Sequence, residues 1–317
     1  MKLVVTHLGA LSRYVTREFY YIIVELMRSY GWKQIDTYQL WQGPGTIKRT
    51  LLKEFGELPE TILFWEGYDL LEAHTDDIYR LECKKYIFAD DLHWWNDRMR
   101  PNRLICFALF DTILSTYAYV WDSLYPEFCG AKKLVWIPHS ASPDFMLPYN
   151  PRPENSILMS GTISPSSPLR PTMKLLHDQG SYAITYLAHP GYQRLYDYDR
   201  DPEVGRRYAE IINRHRAAFT DGHRYKYVVA KYFEIPATGA LLFADGSVSP
   251  QLRSLGFIEN QHYVPVSKEN LEDRIQYVLD ERNHDELDEV RRRGQELVRQ
   301  RHKTSDRARE INQVCAS

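Results

Sequence analysis

The sequence predicts an α/β chain of two domains, each built on a parallel sheet. Three observations carry this expectation. Apolar runs of strand length alternate with amphipathic helical stretches. In the first half their starts lie about 25 residues apart, room for a strand and a crossover helix. A break at 140–155, "SASPDFMLPYNPRPEN", holds four prolines, has no helical period and separates two such series. Strands that alternate with helices bury both faces of their sheet, which is the setting of parallel sheets.

The elements follow in order. "KLVVTH" (2–7) reads as a buried strand. "TREFYYIIVELMRSYGW" then sets Phe19, Ile22, Ile23, Leu26 and Tyr30 on one helical face, with Thr16 as N-cap and Gly31 as stop. Further strands are expected at 33–38, 61–66, 85–90, 111–116 and 134–139. After the break the series resumes at 156–161, 183–189, 217–221, 240–245 and 263–266. Helices are expected in "PTMKLLHDQ", "PEVGRRYAEIINRHR", "YVVAKYFEIPAT", 268–281 and about 285–301. The domains expected from this pattern are 1–150 and 151–317, with the last helix packing back on the first. Tandem open sheets of this kind bind ligands in a cleft at the C-terminal ends of their strands.

Composition narrows the class. The 317 residues suffice for two cores. A net charge of -2 gives no electrostatic ground for a nucleic-acid partner. The four cysteines (Cys83, Cys106, Cys129 and Cys315) contain no CxxC pair, which argues against a zinc site or a disulfide framework. No stretch approaches the roughly 20 apolar residues of a membrane span, and the N-terminus lacks a signal-peptide core. A cytoplasmic protein with reduced thiols is expected. The run "RRRGQELVRQRHK" keeps its apolar residues at helical spacing and reads as a solvated helix face, leaving at most peripheral membrane contact.

The stretch "KYFEIPATGALLFADG" (231–246) carries the clearest chemical signal. Glu234 stands five residues before Gly239, where an apolar strand begins. A carboxylate accepts two hydrogen bonds at once, which suits a ribose diol. Lys231, Arg224 and Lys226 lie just upstream, and cations beside a helix N-terminus suit a diphosphate. A surface Glu–Lys pair explains the same residues without a ligand.

The segment Glu234-Ile235-Pro236-Ala237-Thr238-Gly239-Ala240-Leu241-Leu242 resembles the nucleotide-sugar-binding helix of GT-B glycosyltransferases, closest to the spore-protein CgeB-like group. "VPVSKENLEDRIQYVLDE" and "VRRRGQELVRQRHKTSDRARE" are similar to the closing elements of that group. "WIPHSASPDF" is similar to its strand-to-linker turn. The resemblance implies two Rossmann-like domains facing a central cleft, and a donor-binding C-terminal domain in which Glu234 binds the ribose hydroxyls. Retaining members carry a second acid eight residues upstream of that glutamate. Here the position is Lys226, so retention of configuration does not carry over.

Around that helix, Gly161 in "SILMSG" allows close backbone approach, and Arg170 falls near the next helix start, where the family sets a basic residue on the diphosphate. His189 and Tyr192, in "LAHPGY", are expected on a donor-side loop as hydrogen-bonding and base-stacking groups, although a plain Pro-Gly turn explains the string as well. Two histidines compete as general base on the other domain. His7 ends the first strand. His93 ends the fourth in "FADDLHWW", with Asp90 and Asp91 placed to orient it and Trp94 and Trp95 as an acceptor platform. His139 ends "LVWIPH" and is expected in the cleft.

The expected activity is metal-independent transfer of a hexosyl or pentosyl group from a nucleoside-diphosphate sugar, UDP- or GDP-linked, to a hydroxyl of a glycan, protein or small molecule. No cofactor is expected. A nucleotide-sugar epimerase of the same fold and a non-catalytic coat or surface-assembly protein are the alternatives.

Overall fold

The structure is a computed structural model that describes residues 1–41, 45–94, 99–192 and 194–316. Its chain divides into two compact units. The first comprises 1–12, 19–138 and 307–317, the second 13–18 and 139–306.

The first unit holds a parallel six-stranded sheet: β1 (Lys2–Val5), β2 (Lys33–Ile35), β3 (Thr61–Trp65), β4 (Lys84–Ala89), β5 (Thr112–Ser115) and β6 (Lys133–Trp136). The strand order is β2-β1-β3-β4-β5-β6. Each run ends where local chemistry stops it. β2 is shorter than the apolar pattern suggested, because Asp36 and Gln39 form a capping box that starts a helix at Thr37. The helix Glu18–Tyr30 buries Phe19, Ile22, Ile23 and Leu26 against Val4, Leu63 and Phe88 of the sheet. The last helix, Thr304–Ala316, adds Ala308, Ile311 and Cys315 to this core, and its Asn312 side chain accepts from Lys2 and Trp32.

The second unit is a parallel five-stranded sheet: β7 (Glu154–Gly161), β8 (Ile184–Ala188), β9 (His215–Thr220), β10 (Leu241–Asp245) and β11 (Val264–Val266), in the order β11-β10-β9-β7-β8. Its core joins Ile157, Met159, Phe219, Leu241 and Phe243 to Met173, Ile275 and Leu287 from the covering helices. In both sheets the order reverses beside the first strand, between β1 and β3 and between β7 and β9. Connections leave such a point toward opposite sides and open a crevice at the strand ends.

Two expectations are corrected. The proline-rich segment is not a free linker. Gln295 and Arg299 donate to the Leu147 carbonyl, Asn213 to that of Pro148 and Arg291 to that of Asn150, so the helix His284–Arg301 straps it to the second unit. The same contacts correct the reading of the basic run in part: Arg292, Arg293 and Arg301 are exposed, as on a solvated face, but Arg291 is buried and also holds Asp288 at 2.7 Å. Prolines remove donors but leave carbonyls, and those carbonyls are what the arginines need.

Candidate nucleotide-sugar site

The order reversal between β7 and β9 positions the polar groups of the second unit. β7 ends on Gly161, whose φ of +112° is the reason for glycine there. A Cβ at this position would lie 3.3 Å from Lys231 Nζ and 3.4 Å from Arg170 Cζ, so two cations converge on a bare stretch of backbone. Arg170 opens the helix Arg170–Asp178. The buried Asp221, directly after β9, accepts the Leu169 and Arg170 amides at 2.9 and 3.0 Å, and its other oxygen lies 3.1 Å from Arg170 Nε. One carboxylate thus caps the helix and aims the guanidinium.

Lys231 and Glu234 stand on the helix Lys231–Ala237, shorter at its start than the pattern 227–238 suggested. Tyr227 to Val229 run as coil, and Lys226 has a left-handed φ of +58°. Lys231 is thereby the first helical residue and Glu234 lies in the first turn. Burial, then Arg170, lowers the Lys231 pKa, while Glu234 and Asp221 oppose the shift. Burial raises that of Glu234, with Glu18 and Asp144 adding to the rise against Lys231 and His139. Glu234 is only 6% exposed, so it does not sit on an open helix face.

His189, after β8, joins the same cluster. Burial, then Lys231 and Arg170, pushes its pKa down to about 4, so the ring is neutral. Its Nδ1 accepts the Gly191 amide at 2.9 Å, which places the proton on Nε2 as an outward donor. Tyr192 packs 4.3 Å from this ring and stacks at 6.2 Å on Tyr14, with 54% of its surface exposed. His139 is buried with its Nδ1 2.7 Å from Glu18 Oε2, and Glu18 also accepts the amide and hydroxyl of Ser140.

Arg224 and Lys226 are exposed, and Arg224 donates to the Tyr225 hydroxyl. Gly239 sits at the far end of the helix. Its φ is +86°, and a Cβ there would lie 2.9 Å from Gln295 Nε2, so its role is to let helix 284–301 pack closely. Pattern reading missed Glu18, Asp144 and Asp221, and also Tyr208, whose buried hydroxyl shares a 2.6 Å hydrogen bond with Ser160 and feels the Glu234 charge. Asp221 alone left a trace, as an acid closing an apolar run.

On the first unit, His7 Nδ1 lies 2.6 Å from Asp36 Oδ2, and the histidine side chain is 43% exposed. The adjacent ends of β1 and β2 bring them together. His93 is buried, and Asp91 lies 3.9 Å from its Nδ1, beyond hydrogen-bond reach. Asp90 instead accepts from Thr116 at 2.6 Å. Trp94 packs 6.1 Å from Tyr125, and Trp95 lies outside the described residues.

Residues 178–313 match the family model described as glycosyl transferase-like. No curated relative matches the sequence. Among solved structures, sucrose-phosphate synthase from Thermosynechococcus elongatus is similar over 99% of this chain and 98% of its own, with a TM-score of 0.66 at 11% identity. A glycosyltransferase from Rickettsia africae ESF-5 gives 0.61 at 10% identity over 99% and 97% of the two chains. HepE from Anabaena, in complex with UDP, gives 0.59 at 9% identity over 99% of each. At these identities the likeness speaks for the fold, and the family match speaks for the second unit. The chain as a whole has the two-unit GT-B fold, and its residues 178–313 match a glycosyl transferase-like family.

Proposed function

We propose that the protein transfers a hexosyl or pentosyl group from a nucleoside-diphosphate sugar to an acceptor hydroxyl, without a metal, as a member of the CgeB-like group. The observation that carries this reading is the convergence of Arg170 and Lys231 on Gly161 at the crevice of the second sheet, with Glu234 in the first turn of the helix that Lys231 opens. Arg170, Lys231 and the amides of their helices take the diphosphate and stabilise it as it leaves with the bonding electrons. Glu234 accepts the ribose hydroxyls. Neutral His189 donates through Nε2, and Tyr192 offers a ring face to the base. His7, oriented by Asp36, takes the proton of the acceptor hydroxyl as its oxygen attacks the anomeric carbon. HepE, a fold neighbour, is seen with UDP, which supports a uridine donor.

Calorimetric titration with UDP, GDP, ADP and TDP tests the reading. One diphosphate is expected to bind, and Glu234→Gln is expected to weaken it by about 1.5–3 kcal/mol, the usual cost of a charged hydrogen bond. The 2'-deoxy and 3'-deoxy nucleotides should be less affected by the substitution. Equal losses for ribose and deoxyribose forms would remove Glu234 from the donor site.

A further inference from the structure

The first unit contains a second polar cluster that the proposed chemistry does not use. β3 leads directly into Glu66, a non-glycine residue at a φ of +55°, followed by Gly67 at +74°. Left-handed backbone at a bulky residue costs free energy and persists where the surroundings impose it. The Glu66 amide donates to the Phe88 carbonyl at 2.9 Å, which continues the β3–β4 pairing and fixes the turn. The turn sits at the order reversal between β1 and β3, where an open α/β sheet forms its crevice.

The side chains around Glu66 are incompletely paired among the described residues. The Tyr68 hydroxyl is out of solvent contact and has no hydrogen-bond partner, and neither has Arg103 Nε. The Arg103 guanidinium lies 4.8 Å over the Tyr68 ring and donates through Nη1 to the backbone carbonyls of Asp91 and His93. Asp90 is held by Thr116. Burial, then Asp90, raises the Glu66 pKa to about 7, against the pull of Arg103 and the Asp90 amide. Glu66, Gly67 and Tyr68 nonetheless keep partial exposure, so the cluster borders the surface and its unpartnered atoms lie just beneath it. A structural polar cluster would satisfy its own donors.

We propose that Glu66, Tyr68 and Arg103 form a binding site for an uncharged polyhydroxylated ligand, a sugar or polyol. The charge arrangement selects that class. An anionic ligand would meet Glu66 and Asp90, and a cationic one would meet Arg103. Hydroxyl groups satisfy all three side chains, because they donate to the carboxylate, accept from Nε, and do either with the phenol. Identifying the ligand as the acceptor rests on the transfer reading, whereas the site itself does not.

Saturation-transfer NMR on the full chain without nucleotide tests the site, using methyl β-D-glucopyranoside, myo-inositol and glycerol beside glucosamine and glucuronate. At least one neutral polyol should bind, and bind better than both charged sugars. Glu66→Gln and Tyr68→Phe should each weaken it about tenfold or less, with the larger loss at Glu66. Tyr68→Phe removes only an unpartnered hydroxyl, so it keeps the test intact if Glu66→Gln fails to fold. Absence of binding by the wild type, or undiminished binding by the folded variants, overturns the proposal. UDP titration of the same samples reports separately on the second unit: polyol binding without any nucleotide binding would sink the transfer reading alone.

Discussion

A half-buried lysine and a buried glutamate on one helical turn each favour the other's charged form against the cost of burial. Lys231 is depressed and Glu234 raised, each against the pull of the other. Diphosphate binding needs the cation, which is lost as pH rises through the lowered lysine pKa. Ribose binding needs the carboxylate, which is lost as pH falls through the raised glutamate pKa. Affinity for UDP is therefore expected to be bell-shaped in pH, whereas uridine should show only the acidic limb. Calorimetry at several pH values measures both. Glu66 behaves differently, since its shift comes from burial and Asp90, opposed by Arg103 and the Asp90 amide. With the folded pKa above the unfolded one, the native state carries no penalty below about pH 4.5, and the penalty grows until about pH 7. Glu66→Gln is thus expected to raise stability, and with it Tm, at pH 8 by a free energy on the order of 3 kcal/mol at most, and to change it little at pH 4. A Tm difference that is independent of pH would contradict the assignment.

At the scale of elements, the strand–turn–helix units of the second sheet each deliver one functional group at a time. β7 ends in Gly161, β9 in Thr220 before Asp221, and the helices that follow begin at Arg170 and Lys231. Gly161→Ala places a methyl group 3.3 Å from Lys231 Nζ on a backbone that disfavours side chains. The expected outcome is a loss of about 1–3 kcal/mol of stability together with weaker UDP binding and nearly unchanged uridine binding. Denaturant melts and titration read the two effects apart. The existence and order of these elements were legible from apolar periodicity. The start of helix 231–237 was not, because the apolar residues Tyr227 and Val228 continue the helical pattern although their backbone is coil. Periodicity registers which residues are buried, and tertiary packing buries coil as well as helix.

For the whole molecule, the two units are not consecutive halves of the chain. Residues 13–18 belong with the second unit and 307–317 with the first. The consequence is measurable in fragments. A chain of 139–306 keeps the strap over 147–150 but leaves the Ser140 amide and hydroxyl and the His139 ring without Glu18. It is expected to fold with stability lowered by about 1–3 kcal/mol. A fragment starting at 153 also removes the carbonyls that Arg291, Gln295 and Arg299 bond, and it is expected to lose its cooperative melt. Circular dichroism of the two fragments decides this, and equal melts would show that the strap is dispensable.

By itself the sequence determined the parallel α/β architecture, the paired series of strands, and the candidate role of Lys231 and Glu234, because periodicity and local spacing are written along the chain. It also marked Arg170 and His189, each one loop beyond a strand end. The tertiary structure alone decided that Asp221 aims Arg170, that Glu18 holds His139, that Asp36 rather than Asp91 lies within hydrogen-bond reach of its histidine, and that Glu66 and Tyr68 cluster with Arg103. Asp221 and Arg170 stand 51 positions apart, Glu18 and His139 121, and Asp36 and His7 29, each pair joining different elements. Side-chain partners chosen across a sheet depend on strand order and register, and neither is encoded in the spacing of neighbouring residues.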